Sequence, residues 1–170
     1  MSLNKVFIAL GTNIGNWKNN FNQSFIQIKK IGHITKFGSV YLSNPYGFKD
    51  QNFFYNTAIE LTTTLGAMKL MEELKIIEKK IQKNKLFTNG PRRIDLDIIF
   101  FNKMMLEKKT LSIPHPRAHL RDFVLYPIYD MNPFLTHPLE KKTIKELIKT
   151  LEENYIFKKI NRQKDSVLIY

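Results

Sequence analysis

Apolar and polar residues along this chain fall into blocks whose spacing predicts its elements. Residues 5–10, KVFIAL, are a short β-prone apolar run that reads as a buried strand stopping at Gly11. From Trp17 to Ile31 the apolar residues Trp17, Phe21, Phe25 and Ile28 recur at spacings of four, four and three, so one helical face is apolar, with Gly32 as the stop. A β-rich stretch, residues 34–42, leads into the turn-rich loop SNPYGFKDQN, and residues 53–63, FFYNTAIELTT, read as a further strand. A second helix runs from about Gly66 to Lys83, with Met68, Met71, Leu74, Ile77 and Ile81 on one side. Residues 84–93 are polar and basic and contain Gly90-Pro91, which makes them a loop; IDLDIIFF, residues 94–101, is a strand. A hairpin-like segment leads to PHPRAHLRDF, then to a Lys/Glu-rich helix near residues 143–154 and a β-prone tail. The order β-α-β-β-α-β with additions predicts an α+β fold of the ferredoxin-like kind, an antiparallel sheet with helices packed on one face, in a single domain over residues 1–170.

Composition narrows the chemistry. The chain has no cysteine, which excludes disulfide scaffolds, thiol catalysis and iron–sulfur sites. No apolar run approaches the ~20 residues that span a bilayer, and the N-terminal MSLNKVFIALG turns polar too soon for a signal peptide. The expectation is a cytoplasmic protein that engages no membrane. With 27 Lys+Arg against 15 Asp+Glu, the net charge of +12 favours an anionic partner: nucleotide, nucleic acid or acidic lipid.

The most informative words are GPRRIDLDIIF, residues 90–100. In a strand, side chains alternate faces, so Ile94, Leu96 and Ile98 point one way and Asp95 and Asp97 the other, their Cα atoms ~6.6–6.8 Å apart. Aspartate is depleted in strands, and two on one face need a compensating cation. Hard oxygen ligands with no neighbouring His or Cys favour Mg²⁺. Asp–Arg pairing with Arg92 and Arg93 is the bland alternative. Basic residues flank the pair, however, and His115, Arg117, His119 and Arg121 follow, so a metal-plus-phosphate site is the better reading. Residues 69–93 hold eight Lys/Arg and three Glu. By charge alone Lys69, Lys75, Lys79 and Lys80 read as a solvated helix face, whereas Lys83, Lys85 and Arg92 approach the acidic strand. GTNIGN, residues 11–16, lacks the Lys-Ser/Thr ending of a P-loop, and no protein-kinase signature occurs.

The loop and strand SNPYGFKDQNFFYN, residues 43–56, concentrate aromatics, and Phe123 lies in the other basic segment. An aromatic pair can grip a flat heterocycle, and an amide such as Asn56 can read the ring's edge with donor and acceptor together. Alternation makes Phe53 and Tyr55 core residues, and leaves open whether Phe54 and Asn56 share a face.

Taken together, ALGTNIGN, NPYGFKDQNFFYN, GPRRIDLDIIF and IPHPRAHLRDFVLYPI resemble the 6-hydroxymethyl-7,8-dihydropterin pyrophosphokinases of folate biosynthesis, over about residues 5–135. The resemblance implies transfer of the β,γ-pyrophosphoryl group of ATP to the 6-hydroxymethyl oxygen of the dihydropterin, with release of AMP. It implies Asp95 and Asp97 as ligands of two Mg²⁺ ions, with Arg92 beside them in catalysis. It also implies Phe54 and Phe123 as the pterin clamp and Asn56 as the amide on the pterin edge. Ser43, Asn44 and Tyr46 would wall that pocket. ATP contacts would come from Lys75, Glu78, Lys83, Lys85, Arg92, Ile98, His115 and Arg121. Some positions depart from the family pattern. An Arg-x-Arg pair appears as Lys83-Asn84-Lys85, losing the planar guanidinium fork, and the tryptophan before Gly-Pro-Arg is replaced by Thr88 or Asn89. A frequent helix glutamine is Lys75, and a tyrosine after the histidine is Pro116. The family is commonly monomeric or dimeric, so the resemblance implies a monomer or weak dimer with no nucleic-acid partner. A basic ferredoxin-like RNA-binding module without catalysis accounts for the charge equally well, but it gives no role to two carboxylates on the sheet. A metal-dependent nuclease usually needs more acidic ligands than this stretch offers.

Overall fold

The computed structural model describes residues 2–82 and 90–160. Its elements are β1 (Asn4–Thr12), α1 (Trp17–Ile28), β2 (His33–Phe37), β3 (Tyr41–Ser43), β4 (Phe54–Thr63), α2 (Ala67–Ile81), β5 (Asp95–Phe101), β6 (Leu106–Lys108), β7 (Leu111–Ile113), α3 (Asp122–Met131), α4 (Ile144–Lys149) and β8 (Ile156–Lys159), with a 3-10 turn at Ala118–Leu120. The main sheet runs β5-β1-β4-β3-β8, and β2 also pairs with β4. All its pairings are antiparallel. β2 and β3 share one edge of β4, so the β-rich stretch 34–42 is one strand interrupted at Gly38. With that interruption merged, the order is the ferredoxin-like one.

The first strand does not stop at Gly11. It is an inner strand, and Gly11 is paired on both sides, with Asn56 and with Asp95. α1 begins where the Asn16 side chain accepts from Asn19 N–H at 3.0 Å, a cap that satisfies one of the helix's free donors. Phe21, Phe25 and Ile28 on its inner face, and Leu70, Leu74, Ile77 and Ile81 on α2, are buried against Val6, Ile8, Leu10, Leu96 and Ile98. Each such side chain contributes about 1.5–3 kcal/mol when fully buried.

The expectation of helices on one face only is overturned. Phe7, Ala58, Ile99 and Phe100 face the other way and are covered by α3 and α4. α3 lies in the segment 122–131 that carried no helix expectation. It holds Pro127, a residue that removes a helical hydrogen bond, yet Val124, Leu125, Ile128 and Met131 follow a helical period and pay for themselves by burial. The Lys/Glu-rich helix is shorter than 143–154, closing after Lys149, and starts with a reciprocal cap between Thr143 and Glu146. β5 carries a register shift opposite Phe7 and Ile8, which pair with Phe100 and Ile98. The extra residue, Ile99, keeps both Ile99 and Phe100 on the α3 side.

α3 crosses the sheet over Gly38, whose amide donates to Ala58 O at 2.8 Å. A Cβ there would stand 2.5 Å from the Pro127 carbonyl oxygen and 2.8 Å from its Cβ. The helix can approach only because residue 38 has no side chain. Gly38→Ala is therefore expected to cost roughly 1–3 kcal/mol, read as a lower denaturation midpoint at unchanged denaturant slope.

Candidate active site

On the α3 side of the sheet a cleft opens where the floor is made of small residues. Ala9 and Gly11 of β1 lie between β4 and β5, in the rows Ala58–Ala9–Asp97 and Asn56–Gly11–Asp95. Because neither has bulk, the carboxylates on one side and the amide on the other look into common space of about 890 Å³, counting the part open to solvent. Asp95, Asp97 and Ile99 line it from β5, Phe54 and Asn56 from β4, and Ser43, Asn44 and Tyr46 from β3 and the loop after it. Arg92, Arg117 and Arg121 close it with positive charge, His115 stands among them, and Phe123 and Val124 reach in from the start of α3. Alternation puts Phe54 and Asn56 on one face without any bulge.

The electrostatics are those of two like charges held close together. Burial and the neighbouring Asp95 carboxylate push the Asp97 carboxyl up to about 6. Arg92 Nε stands 3.5 Å from Asp95 Oδ2, an ion pair too long for a hydrogen bond, and that nitrogen is buried with no hydrogen-bond partner. Arg121 Nε is likewise buried and unpartnered; burial, and then the neighbouring Arg117, push this guanidinium down. The guanidinium carbon of Arg92 lies 5.0 Å from the Phe54 ring centroid and that of Arg121 4.4 Å from Tyr46, so rings hold both cations over the cleft. His115 is pushed down to about 4 by burial and by Arg121 and Arg117. It is neutral at pH 7, and its Nδ1 accepts from Arg117 N–H at 3.2 Å. The ring proton is thereby assigned to Nε2, a neutral donor suited to a phosphate oxygen.

Two carboxylates with no third His, Asp or Glu in ligating reach, among the described residues, make a poor cage for an ion bound by protein alone. They fit Mg²⁺, which takes one or two carboxylates and fills its shell with water and substrate phosphate.

A second hollow adjoins across Arg92 and Asp95 and is lined by Lys75, Glu78, Lys79, Gln82 and Ile94. Glu78 accepts from Leu96 N–H at 2.6 Å and from Lys75 Nζ at 2.9 Å, tying α2 to β5. Burial pushes the Glu78 carboxyl up. Lys75 is thus ion-paired beside this hollow, not part of a freely solvated face.

Several expectations on single residues do not hold. Ile98 is 1% exposed and packs under α1 and α2, on the sheet face opposite the cleft, because alternation sends it with Leu96. Phe53 is 52% exposed, since β4 begins only at Phe54, and meets Phe157 edge-on instead of the core. Tyr55, by contrast, packs half-buried against the core as expected, stacked on Trp17 at 4.9 Å. Lys83, Lys85, Thr88 and Asn89 lie outside the described residues. Sequence reasoning also missed Asn13. Its Nδ2 donates to Gln51 Oε1 and Asn52 O, its Oδ1 accepts from Arg92 N–H at 2.9 Å, and its amide donates to Arg92 O at 3.0 Å. One side chain thus pins the aromatic loop to the arginine loop. No local signal marks it. Ile99, by contrast, was legible two residues beyond Asp97.

Paired carboxylates under several cations, beside an aromatic slot, are the equipment of metal-dependent enzymes that act on polyphosphates. The sequence profile of 7,8-dihydro-6-hydroxymethylpterin-pyrophosphokinase (HPPK) matches residues 7–133, and the chain belongs to this family. It is 32% identical over 141 residues to the 2-amino-4-hydroxy-6-hydroxymethyldihydropteridine pyrophosphokinase of Aquifex aeolicus, covering 83% of this chain and 88% of that protein. The Bacillus subtilis enzyme of the same name is 36% identical over 130 residues, 75% of this chain and 78% of that one. In fold, a crystal structure of Plasmodium falciparum HPPK-DHPS superposes with a TM-score of 0.72 at 18% identity, over 87% of this chain and 45% of that longer one.

The raised Asp97 carboxyl has a consequence for stability. Its folded value lies above the ordinary 3.8, so between these values the native state binds the proton more tightly than the unfolded chain. Without divalent metal the fold therefore loses stability as pH rises from about 4 to about 6. Asp97→Asn is expected to melt higher than the wild type in EDTA at pH 8, by up to about 3 kcal/mol, with the difference vanishing near pH 3.5. Equal melting at pH 8 would contradict the crowding.

Proposed function

We propose that this chain transfers the β,γ-pyrophosphoryl group of ATP to the hydroxymethyl oxygen of 6-hydroxymethyl-7,8-dihydropterin, a step of folate biosynthesis. The observation that carries this reading is the meeting of Asp95 and Asp97 with Arg92, His115 and Arg121 around one cleft that continues into the Phe54, Asn56 and Phe123 wall. Family membership supports the same activity.

The pterin lies between Phe54 and Phe123, its apolar faces against the rings. Asn56 gives its Nδ2 to Ser43 Oγ at 2.9 Å, which leaves Oδ1 as an acceptor for the edge of the heterocycle. Ser43 and Asn44 hold the end of this wall, and Tyr46 backs Arg121. Arg92, Arg121 and the neutral Nε2–H of His115 bind phosphate oxygens. Glu78 and Lys75 flank the nucleotide side. Asp95 and Asp97 would hold the Mg²⁺ that the reaction needs, two ions in this reading, which would neutralise the triphosphate and lower the pKa of the pterin hydroxyl. The hydroxymethyl oxygen bonds to the β-phosphorus, the bond from that phosphorus to the bridging oxygen of the α-phosphate breaks, AMP leaves with the electron pair, and the proton passes to solvent. Rate enhancement is then mostly positioning and charge neutralisation. An RNA-binding module has no use for the paired carboxylates, which repel phosphate unless metallated.

AMP formation from ATP and Mg²⁺ only when dihydropterin is present tests the assignment. Salt-sensitive RNA binding without turnover would replace it with the RNA reading. Asp97→Ala is expected to lower turnover by at least roughly 100- to 1,000-fold while the fold still melts cooperatively; near-wild-type turnover would remove the metal role. Phe123→Ala should weaken pterin binding about tenfold by calorimetry, and equal affinity would take Phe123 out of the clamp.

A further inference from the structure

The family profile ends at residue 133, yet the chain beyond it returns to the aromatic wall. Asp122 sits between two residues that line the cleft, Arg121 and Phe123. It is only 1% exposed. Its Oδ1 accepts from Phe123 N–H at 2.7 Å, and its Oδ2 accepts from Tyr155 N–H at 2.6 Å and Ile156 N–H at 2.8 Å. One buried carboxylate therefore binds the start of α3 to the chain entering β8. Burial pushes this carboxyl up and the three amides work against that. From the other side, Asn44 N–H donates to Tyr155 O at 2.9 Å, and β8 pairs with β3, Ile156 opposite Ser43. Backbone contacts thus hold Tyr155 to α3 and to the loop after β3 alike.

The Tyr155 ring fills the angle between these elements. It meets Tyr46 edge-on at 5.5 Å and Phe123 at 5.7 Å and 88°, while Tyr46 and Phe123 are themselves 6.3 Å apart. Tyr46 and Phe123 line the cleft, but Tyr155 does not. Its hydroxyl turns away and hydrogen-bonds the Glu153 carboxylate. A ring wedged between two cleft-lining rings from different elements sets their separation and tilt, and a flat ligand gripped by that wall is sensitive to both.

We propose that Tyr155, held by the Asp122 carboxylate, is a positioning residue for the heterocycle pocket: the C-terminal segment is the third side of the pterin wall. This rests on the reading of the cleft as the pterin site. Tyr155 acts on binding of the heterocycle, chiefly through Phe123, and itself touches no group that binds phosphate or metal except by way of Tyr46, which backs Arg121.

The test is steady-state kinetics on the full chain, with KM for dihydropterin, KM for ATP and kcat measured separately, beside thermal melting. Tyr155→Ala is expected to raise the pterin KM about tenfold, the size of two lost edge-on ring contacts, with the ATP KM and kcat within about twofold. Tyr155→Phe keeps the ring and should restore the pterin KM. Tyr155→Leu keeps apolar bulk without ring edges; it should show the same raised pterin KM at a melting temperature near wild type, which covers a poorly folding alanine variant. An unchanged pterin KM in the leucine variant overturns the proposal. So does a phenylalanine variant as impaired as the alanine one, or an ATP KM that rises in step with the pterin KM. Wild-type protein that forms no dihydropterin-dependent AMP would instead sink the reading of the cleft itself, and this proposal with it.

Discussion

The site depends on repulsion between two carboxylates that one strand forces together. β5 cannot turn Asp95 away from Asp97 without also withdrawing Leu96 and Ile98 from the core under α1 and α2. The apolar residues fix the strand's face, and that face fixes the aspartates. The resulting crowding is visible in the Asp97 carboxyl, pushed up to about 6 by burial and by Asp95. Arg92 relieves it only in part, at 3.5 Å. The fold thus holds an unmet demand for positive charge at one place, and a divalent cation carrying a polyphosphate meets it.

The surroundings preserve that demand. Arg92 and Arg121 form no hydrogen bond to the aspartates through Nε, and each is drawn over an aromatic ring, Phe54 and Tyr46 respectively. Their Nε atoms stay without hydrogen-bond partners. Ala9 and Gly11 leave the floor low enough for substrate to lie between acidic and aromatic walls. Asn13 ties the backbone beside Arg92 to the aromatic loop, so both sides of the cleft share one anchor. His115, neutral by virtue of burial and then of its cationic neighbours, adds a donor without adding a charge.

Local pattern was enough wherever one residue type or one spacing decided the outcome. The alternation in IDLDIIFF placed Asp95 and Asp97 opposite Leu96, and the fours and threes of Phe21, Phe25 and Ile28 located α1. The same alternation argued against Ile98 in the cleft; only the likeness to the family suggested it, and the core claims the side chain. α3 escaped notice because Pro127 breaks the local signal for a helix, whereas the gain that outweighs it, burial on Phe7, Ala58 and Phe100, comes from strands far away in the chain. Phe53 was misplaced because alternation does not say where a strand begins.

The sequence by itself determined the order of the core elements along the chain, the two aspartates on one face and the basic words that accompany them, because strand and helix periods are properties of neighbouring residues. Only the tertiary structure decided that helices cover both faces, that Asn13 joins two loops, and that Asp122 and Tyr155 reach the aromatic wall. The bonds Arg92–Asn13 and Tyr155–Asp122 link residues 79 and 33 positions apart, and such distances are closed by packing and burial, which no local spacing encodes.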